Sequence, residues 1–276
     1  MCMTTVSYLG PQGTFTEQAA HALFPDGFEP HLVTSPAEAI MAVSNGHVDA
    51  AVVAVENSVD GAVTATFDAL VGADVTITAE VDLAISFTIA GTLPARRFAT
   101  HPIAYQQVKH WVEAHSPGAT FVPASSNAAA ADMVVAGEAD ACACPHPAAV
   151  SRGLPILATD VADHTKARTR FLSVEKQKHE RVPGVTYRSS VAFTLPNRPG
   201  TLVGALTEFA TRGVDLTRIE SRPTKTSLGT YIFNCDLIGH ASDPEVSAAL
   251  NALRGHAKSL EFLGSWPAAR GDMGDN

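Results

Sequence analysis

The residues best suited to chemistry are a threonine and an arginine side by side, Thr169-Arg170. They enter the run Phe171-Leu-Ser-Val174, which reads as a strand. A guanidinium can grip a carboxylate through two parallel N–H bonds. A threonine hydroxyl can donate a hydrogen bond to a departing oxygen. Three other short segments carry hydroxyls and amides: Gly10-Pro11-Gln12-Gly13-Thr14, Glu56-Asn57-Ser58 and Ser125-Ser126-Asn127. Free N–H groups at helix N-termini bind anions, although Ser, Thr and Asn at such positions also serve simply as caps. Together the three junctions suit a metabolite that carries carboxylates. Glu56 has two readings: a general acid or base if buried, or a carboxylate that holds its own loop by accepting backbone N–H groups. Lys166, Arg168, Arg170, Lys176, Lys178 and Arg181 cluster between His164 and Arg181. They read either as a solvated face and linker or as contacts to an anionic small molecule.

Regular elements must bring these segments together. Thr5 to Leu9 is a short β-rich run. From Thr14 the pattern Thr-Phe-Thr-Glu17 fits a capping box, and Ala19, Ala20, Leu23 and Phe24 continue an apolar stripe. A second helix pattern runs from Pro36 to near Gly46. Ala50 to Val55 is apolar on both faces, as a central parallel strand should be. Phe121-Val122 leads to Ser125-Ser126-Asn127 and an alanine-rich helix to Gly137, and Ala139 to Cys144 reads as another buried strand. Strands alternating with helices predict an α/β domain with mainly parallel sheets. Such sheets place strand-to-helix junctions along one edge, where ligands bind.

The texture changes near Glu175. The charged segment Glu175 to Gly184 ends in Pro-Gly and reads as a linker. After it come a strand (Ser189 to Leu195), a helix (Pro199 to Arg212, with Gly213 as its C′ residue) and two strands (Val214 to Ser221, Tyr231 to Leu237) joined by a turn holding Gly229. A helix (Pro244 to Leu253) and a strand (Leu260 to Leu263) follow. This β-α-β-β-α-β order predicts a ferredoxin-like unit. The expected divisions are residues 1–180, a linker at 181–188, a unit at 189–267 and a disordered tail at 268–276.

Composition narrows the classes. The 276 residues carry a formal charge of −9 and no interleaved basic and aromatic run, which argues against nucleic-acid binding. No apolar run approaches the ~18–20 residues of a membrane span, and Met1 to Gly10 reads as a strand rather than a signal peptide. A cytoplasmic protein is expected. Cys142 and Cys144 share one face of a strand and read as small buried thiols. With Cys2 and Cys235 they make no zinc spacing. The eleven histidines form no spaced pair; His101, His146 and His164 read as capping or surface residues, and no metal site is expected.

Four segments in order resemble the prephenate dehydratase family over about residues 4–267. Gly10-Pro-Gln-Gly-Thr-Phe-Thr-Glu-Gln-Ala-Ala20 is similar to its opening motif and Val55-Glu-Asn-Ser-Val-Asp-Gly61 to its second. Thr169-Arg170-Phe171 is its TRF motif, and Ile219-Glu-Ser-Arg-Pro223 is similar to the ESRP motif of the attached ACT domain. The resemblance implies two lobes of periplasmic-binding-protein type with a cleft between them, then a ferredoxin-like ACT domain. It implies conversion of prephenate to phenylpyruvate, carbon dioxide and water. Thr169 would be the essential hydroxyl, with Asn57, Ser58, Arg170 and Phe171 about the substrate; Glu56 is a further catalytic candidate, and Thr14, Gln107, Ser125 and Ser126 are candidate substrate contacts. Asn197, the GALV-like Gly200-Thr201-Leu202-Val203, and Glu220, Ser221 and Arg222 would bind L-phenylalanine as effector. A homodimer or homotetramer through ACT domains is implied, with no metal or organic cofactor. The chain departs from the family at Ile103, at Asn127 where threonine is common, at Lys166-Ala167-Arg168 before TRF, and at Thr201 in place of alanine.

Expelling a hydroxide-like group sets the barrier. Thr169 would hydrogen-bond the leaving oxygen, with Glu56 or a water as proton source. Arg170 would orient a carboxylate, and Phe171 would help make a less polar pocket for the ring carboxylate. Arogenate dehydratase and a non-catalytic amino-acid sensor are the alternatives.

Overall fold

Short β-rich runs separated by capped helices build the first lobe in the computed structural model, which describes residues 3–163, 167–177, 179–224 and 229–269. Its elements are β1 (Thr5–Leu9), α1 (Phe15–Leu23), β2 (Glu29–Val33), α2 (Pro36–Ser44), β3 (Ala50–Asn57), β4 (Gly61–Ala62), α3 (Thr64–Leu70) and β5 (Thr76–Ala84). The predicted capping box is present in altered form. The Thr14 hydroxyl accepts from the Glu17 N–H at 3.2 Å, but the Glu17 carboxylate reaches back to the N–H of Gly13.

The second lobe comprises β6 (Phe87–Gly91), β7 (Arg97–Thr100), α4 (Pro102–His115), β8 (Thr120–Pro123), α5 (Asn127–Val135), β9 (Ala141–Cys144), α6 (His146–Ser151) and β10 (Ile156–Val161). The chain then returns to the first lobe as β11 (Arg168–Glu175). The first sheet has the order β2-β1-β3-β11-β5, with β4 paired to β3. β1, β2 and β3 are parallel, whereas β11 runs antiparallel to both its neighbours. The sheet is mixed, not mainly parallel, because β11 re-enters from the other lobe. The second sheet, β10-β6-β9-β7-β8, is mixed as well. Two crossings join the lobes, 84–87 and 161–168, and are clipped by Ile85 N–H donating to the Ala167 carbonyl at 2.8 Å.

The C-terminal unit is β12 (Tyr187–Thr194), α7 (Thr201–Ala210), β13 (Leu216–Pro223), β14 (Tyr231–Ile238), α8 (Pro244–His256) and β15 (Ser259–Pro267), with sheet order β13-β14-β12-β15. The predicted β-α-β-β-α-β order is observed. The helix read as Pro199 to Arg212 caps at Gly200 and Thr211, so Gly213 lies beyond the C′ position.

Alternation sorts the first sheet into two faces. Val6, Tyr8, Val52 and Phe171 pack on Ala19 and Ala20 of α1. On the other face Val53, Val55, Leu172 and Val174 meet α2, α3 and three residues of the C-terminal sheet, Ala192, Leu263 and Trp266. Fully buried side chains such as Phe67 and Leu172 contribute roughly 1.5–3 kcal/mol each. The C-terminal unit is therefore docked on the first lobe. The two come close at Gly264 (φ +148°), where a Cβ would collide with the backbone of Ile77.

Several boundaries differ from the sequence reading. Glu175 belongs to β11, and β12 starts at Tyr187 within the expected linker because Arg188, only 1% exposed, is drawn into the interface. The expected free tail begins paired. Ala268 donates to the Thr186 carbonyl at 2.9 Å and Ala269 to the Glu80 carboxylate at 2.8 Å. The rest of that tail, and Cys2, His164, Lys166 and Lys178, lie outside the described residues. Cys142 and Cys144 are fully buried free thiols in the second lobe.

Candidate active site

Thr169, the second residue of β11, lies opposite Asn57 at the end of β3. The Asn57 amide nitrogen donates to the Thr169 hydroxyl oxygen at 3.0 Å. The amide orientation has a cause on the other side: its oxygen accepts the N–H groups of Val59 (2.8 Å) and Asp60 (3.3 Å). A hydroxyl has one proton and two acceptor sites. Because Thr169 accepts from Asn57, its own proton is left to point elsewhere. Ser58 fixes the entry to the strand, its N–H donating to the Arg168 carbonyl and its hydroxyl accepting the Arg168 N–H, both at 2.9 Å. Thr169, Asn57 and Ser58 thus form one connected group.

Arg170 does not join it. Adjacent strand residues point to opposite faces, and Arg170 faces the C-terminal unit with its side chain 8% exposed. Its guanidinium meets Asp236 of β14 at 2.6 Å, Glu56 at 3.3 Å and Glu80 of β5 at 3.6 Å. Burial alone would lower its affinity for a proton, but those carboxylates, Asp236 foremost, raise it. The expected grip of Arg170 on a substrate carboxylate does not fit this direction. Glu56 shares the Arg170 face, so its carboxylate is an ion-pair partner, neither the loop anchor nor the nearby proton source of the sequence reading. Phe171 returns to the Thr169 face but is buried in the core with Tyr8 and Val52. There it supports the strand.

The ionic group continues inward. Arg188 of β12 reaches Glu80 at 3.1 Å. Arg218 of β13 holds Asp236 through two contacts, at 2.9 and 3.2 Å, lies next to Glu220 at 3.2 Å, and stacks on Phe67 with 3.9 Å to the ring centre. Burial pushes the Asp236 carboxyl up, yet Arg218 and Arg170 outweigh this and hold it at about 2. Sequence reasoning missed Glu80, Arg188, Arg218 and Asp236. The available signal was a charge inside an apolar strand run, as in Tyr231 to Ile238 and Tyr187 to Thr194.

The remaining expected contacts lie at strand ends and helix starts. The Thr14 hydroxyl donates to the Leu9 carbonyl at 3.2 Å besides capping α1, so its proton is used at home. Ser126 caps α5 by accepting from Ala129 at 3.0 Å, while Ser125 beside it is exposed. Asn127 accepts from Thr100 and the His101 N–H, both at 3.3 Å. His101 caps α4; burial lowers its pKa, and Asp60 of the other lobe opposes this. Gln107 is 1% exposed, and its amide oxygen has no hydrogen-bond partner among the described residues. The lobes touch where Gly13 (φ +89°) packs on Ala148 of α6 and Arg152 donates to the Gln12 carbonyl at 3.3 Å.

The expected effector residues divide between two faces. Gly200 (φ +83°) and Thr201, whose hydroxyl donates to the Pro196 and Arg198 carbonyls, start α7. Leu202 packs beneath it, Val203 is 69% exposed, and the Asn197 amide lies against Gly229. Ser221 is exposed on the edge strand β13, on the Ile219 side. Glu220 and Arg222 point the other way, toward the first lobe, where Arg222 pairs with Asp68 of α3 at 3.3 Å. Of the basic cluster, Arg168 donates to the Asp82 carbonyl, Lys176 pairs with Asp74 and Arg181 with Asp243. No group of three or more His, Cys, Asp or Glu among the described residues could hold a metal ion. No helix among them is long and apolar enough to cross a membrane.

With this geometry in place, comparison with known proteins is informative. Residues 6–179 match the family model for prephenate dehydratase and residues 189–255 that for the ACT domain. The chain is 51% identical to the prephenate dehydratase of Corynebacterium glutamicum, over 98% of this chain and 89% of that one. It is 47% identical to that of Mycolicibacterium vanbaalenii, over 96% and 91%. Among solved structures, the prephenate dehydratase of Arthrobacter aurescens in complex with L-Phe is similar at a TM-score of 0.87 and 38% identity, over 96% of this chain and 92% of that one. GqqA, described as a quorum-quenching acylase, is similar at 0.86 and 29%, over 96% and 98%.

Proposed function

The chain belongs to the prephenate dehydratase family, and on that premise we propose that it converts prephenate to phenylpyruvate, carbon dioxide and water under control of phenylalanine. One observation carries the mechanistic reading: the Thr169 hydroxyl accepts from Asn57 at 3.0 Å, which leaves its proton for the ring oxygen of the substrate. As the C–O bond breaks, negative charge grows on that oxygen, and a positioned donor stabilises the transition state more than the ground state. The leaving oxygen departs as water once a proton reaches it. Glu56 faces Arg170, so a water relays that proton. Loss of carbon dioxide supplies the electron pair that makes the ring aromatic. With Arg170 turned away, the substrate carboxylates meet the helix N-termini of the second lobe, at His101-Pro102 and at Ser125-Ser126. The partial positive charge of helix N-termini favours anions there.

The C-terminal unit is the regulatory domain. The relative from Arthrobacter aurescens was solved with L-Phe, and the same effector suits the α7 start and β13 here. β13 is an open sheet edge carrying Ile219 at 46% exposure. Edges of this kind pair with another chain, so the working form is a dimer or larger. The three free thiols among the described residues, all buried, fit the reducing cytoplasm. The test is turnover: purified protein with prephenate, then with arogenate, phenylpyruvate or phenylalanine being followed with and without added phenylalanine. Prephenate turnover that phenylalanine changes is the expected result. Inert prephenate, with or without arogenate turnover, overturns the substrate assignment.

A further inference from the structure

Between the hydroxyl that does the chemistry and the strand that carries the effector motif lie two arginines and one aspartate. Arg170 is the chain neighbour of Thr169. Arg218 precedes Glu220 by two residues on the same face of β13. Both guanidiniums end on Asp236, whose side chain is 4% exposed: Arg170 at 2.6 Å, Arg218 at 2.9 and 3.2 Å. Asp236 thus touches both the catalytic strand and the effector strand through charge-assisted bonds.

The local backbone makes this contact consequential. The β3–β11 ladder slips register between Arg170 and Phe171. Thr169 and Arg170 sit just beyond that irregularity and are paired on both sides, with Asn57 and Glu56 of β3 and with Leu83 and Asp82 of β5. Beyond those ladders, the Arg170 side chain is held by charge: Asp236 from the C-terminal unit, with Glu80 and Glu56 from the first lobe. A displacement of β14 against the first lobe pulls on Arg170, and the next Cα along is that of Thr169. The hydrogen bond that aims the hydroxyl, 3.0 Å from the Asn57 amide nitrogen, changes with any such shift.

We infer that Asp236 is a positioning residue for the dehydration: through Arg170 it sets the attitude of Thr169, and through Arg218 it ties that attitude to the effector strand. This rests on the reading of the chain as a phenylalanine-regulated prephenate dehydratase. Phenylalanine binding at β13 then favours one setting of Arg218 and Asp236 over another, and differential affinity for the two settings is all that coupling requires. Of the two links, Arg218 is the one whose loss leaves Arg170 still paired with Asp236, Glu80 and Glu56.

The wild-type enzyme comes first. If prephenate is not turned over, or phenylalanine has no effect, the functional reading has failed before this inference is reached. Given both, Asp236→Asn strips the anion shared by two guanidiniums and threatens folding, so the decisive variant is Arg218→Gln in the full-length chain. Phenylalanine binding is measured by calorimetry and kcat and KM at saturating phenylalanine. The expected result is uninhibited kcat within about twofold of wild type, retained phenylalanine binding, and a response to saturating phenylalanine reduced at least ~5-fold, the size of a typical coupling factor. A full saturating response would overturn the inference, because a merely structural residue changes stability or affinity and not the plateau. Loss of phenylalanine binding would overturn it too, by placing Arg218 in the effector site. Where Asp236→Asn folds, judged by circular dichroism, its kcat falls while KM holds; unchanged kcat would equally sink the claim.

Discussion

Replacing Asn57 by aspartate inverts one hydrogen bond and leaves the rest of its loop in place. The side-chain oxygen that accepts from Val59 and Asp60 is present in both residues, so the turn survives. The second carboxylate oxygen now stands 3.0 Å from the Thr169 hydroxyl where an N–H stood. The hydroxyl must then donate to it, and its proton points inward. A hydrogen bond to a charged group is worth about 1.5–3 kcal/mol net. That bond has to break before the hydroxyl can serve the substrate, and at 1.36 kcal/mol per decade the loss is about 10- to 150-fold in kcat. KM should change little, since the interaction lost is made in the transition state. Steady-state kinetics on prephenate, with thermal unfolding as a control for the fold, measure this. An Asn57→Asp enzyme with kcat within about twofold of wild type and normal stability would refute the idea that proton direction at Thr169 matters.

Two further outcomes follow from the geometry. Gly13→Ala puts a Cβ 2.8 Å from the Ala148 Cα at a φ of +89°; strain of roughly 1–2 kcal/mol and a fall in kcat/KM of about tenfold are expected, because the lobes meet there. Steady-state kinetics with a denaturation curve would show whether the loss is catalytic, structural or absent. The Asp236 carboxyl, held at about 2, lies below an ordinary aspartate near ~3.9. Its contribution to folding is complete above that ordinary value and is lost as pH falls from about 4 to about 2, some 2 kcal/mol over the interval. Acid denaturation of the wild type should show this component and Asp236→Asn should lack it; equal pH slopes would contradict the pairing.

How far the sequence carries depends on the range of the forces involved. The Thr169, Asn57 and Ser58 group was marked by two segments that resemble the family's motifs; by residue type alone each sits where a strand meets a loop, and a cap there is as good a reading as a ligand contact. The direction of Arg170 was not readable. Alternation puts it opposite Thr169, but which face holds the cleft is decided by where the C-terminal sheet docks, through a residue 66 positions away. Glu56 follows Arg170 for the same reason. The second lobe was legible only in part. Its alanine helix and the Ala141–Cys144 strand stand out, while Arg97–Thr100 is only four residues long and Ile156–Val161 is largely exposed, so neither leaves a clear hydrophobic period. The early start of β12 was hidden by Arg188, a charge that looks like linker until Glu80 is placed beside it. The effector strand β13 alternates one exposed and one half-buried residue throughout. That pattern announces two working faces, but not that one of them touches the catalytic lobe.

The central claim is that the Thr169 hydroxyl donates to the leaving oxygen, and it is tested most directly by comparing kcat for prephenate in Thr169→Val and Thr169→Ser. Valine matches threonine in shape and lacks only the hydroxyl; serine keeps the hydroxyl. The account predicts a loss of about 10²- to 10⁴-fold for valine, the range of a positioned proton donor, with serine within about tenfold of wild type and both proteins folded. A valine enzyme that turned over at the wild-type rate would contradict it.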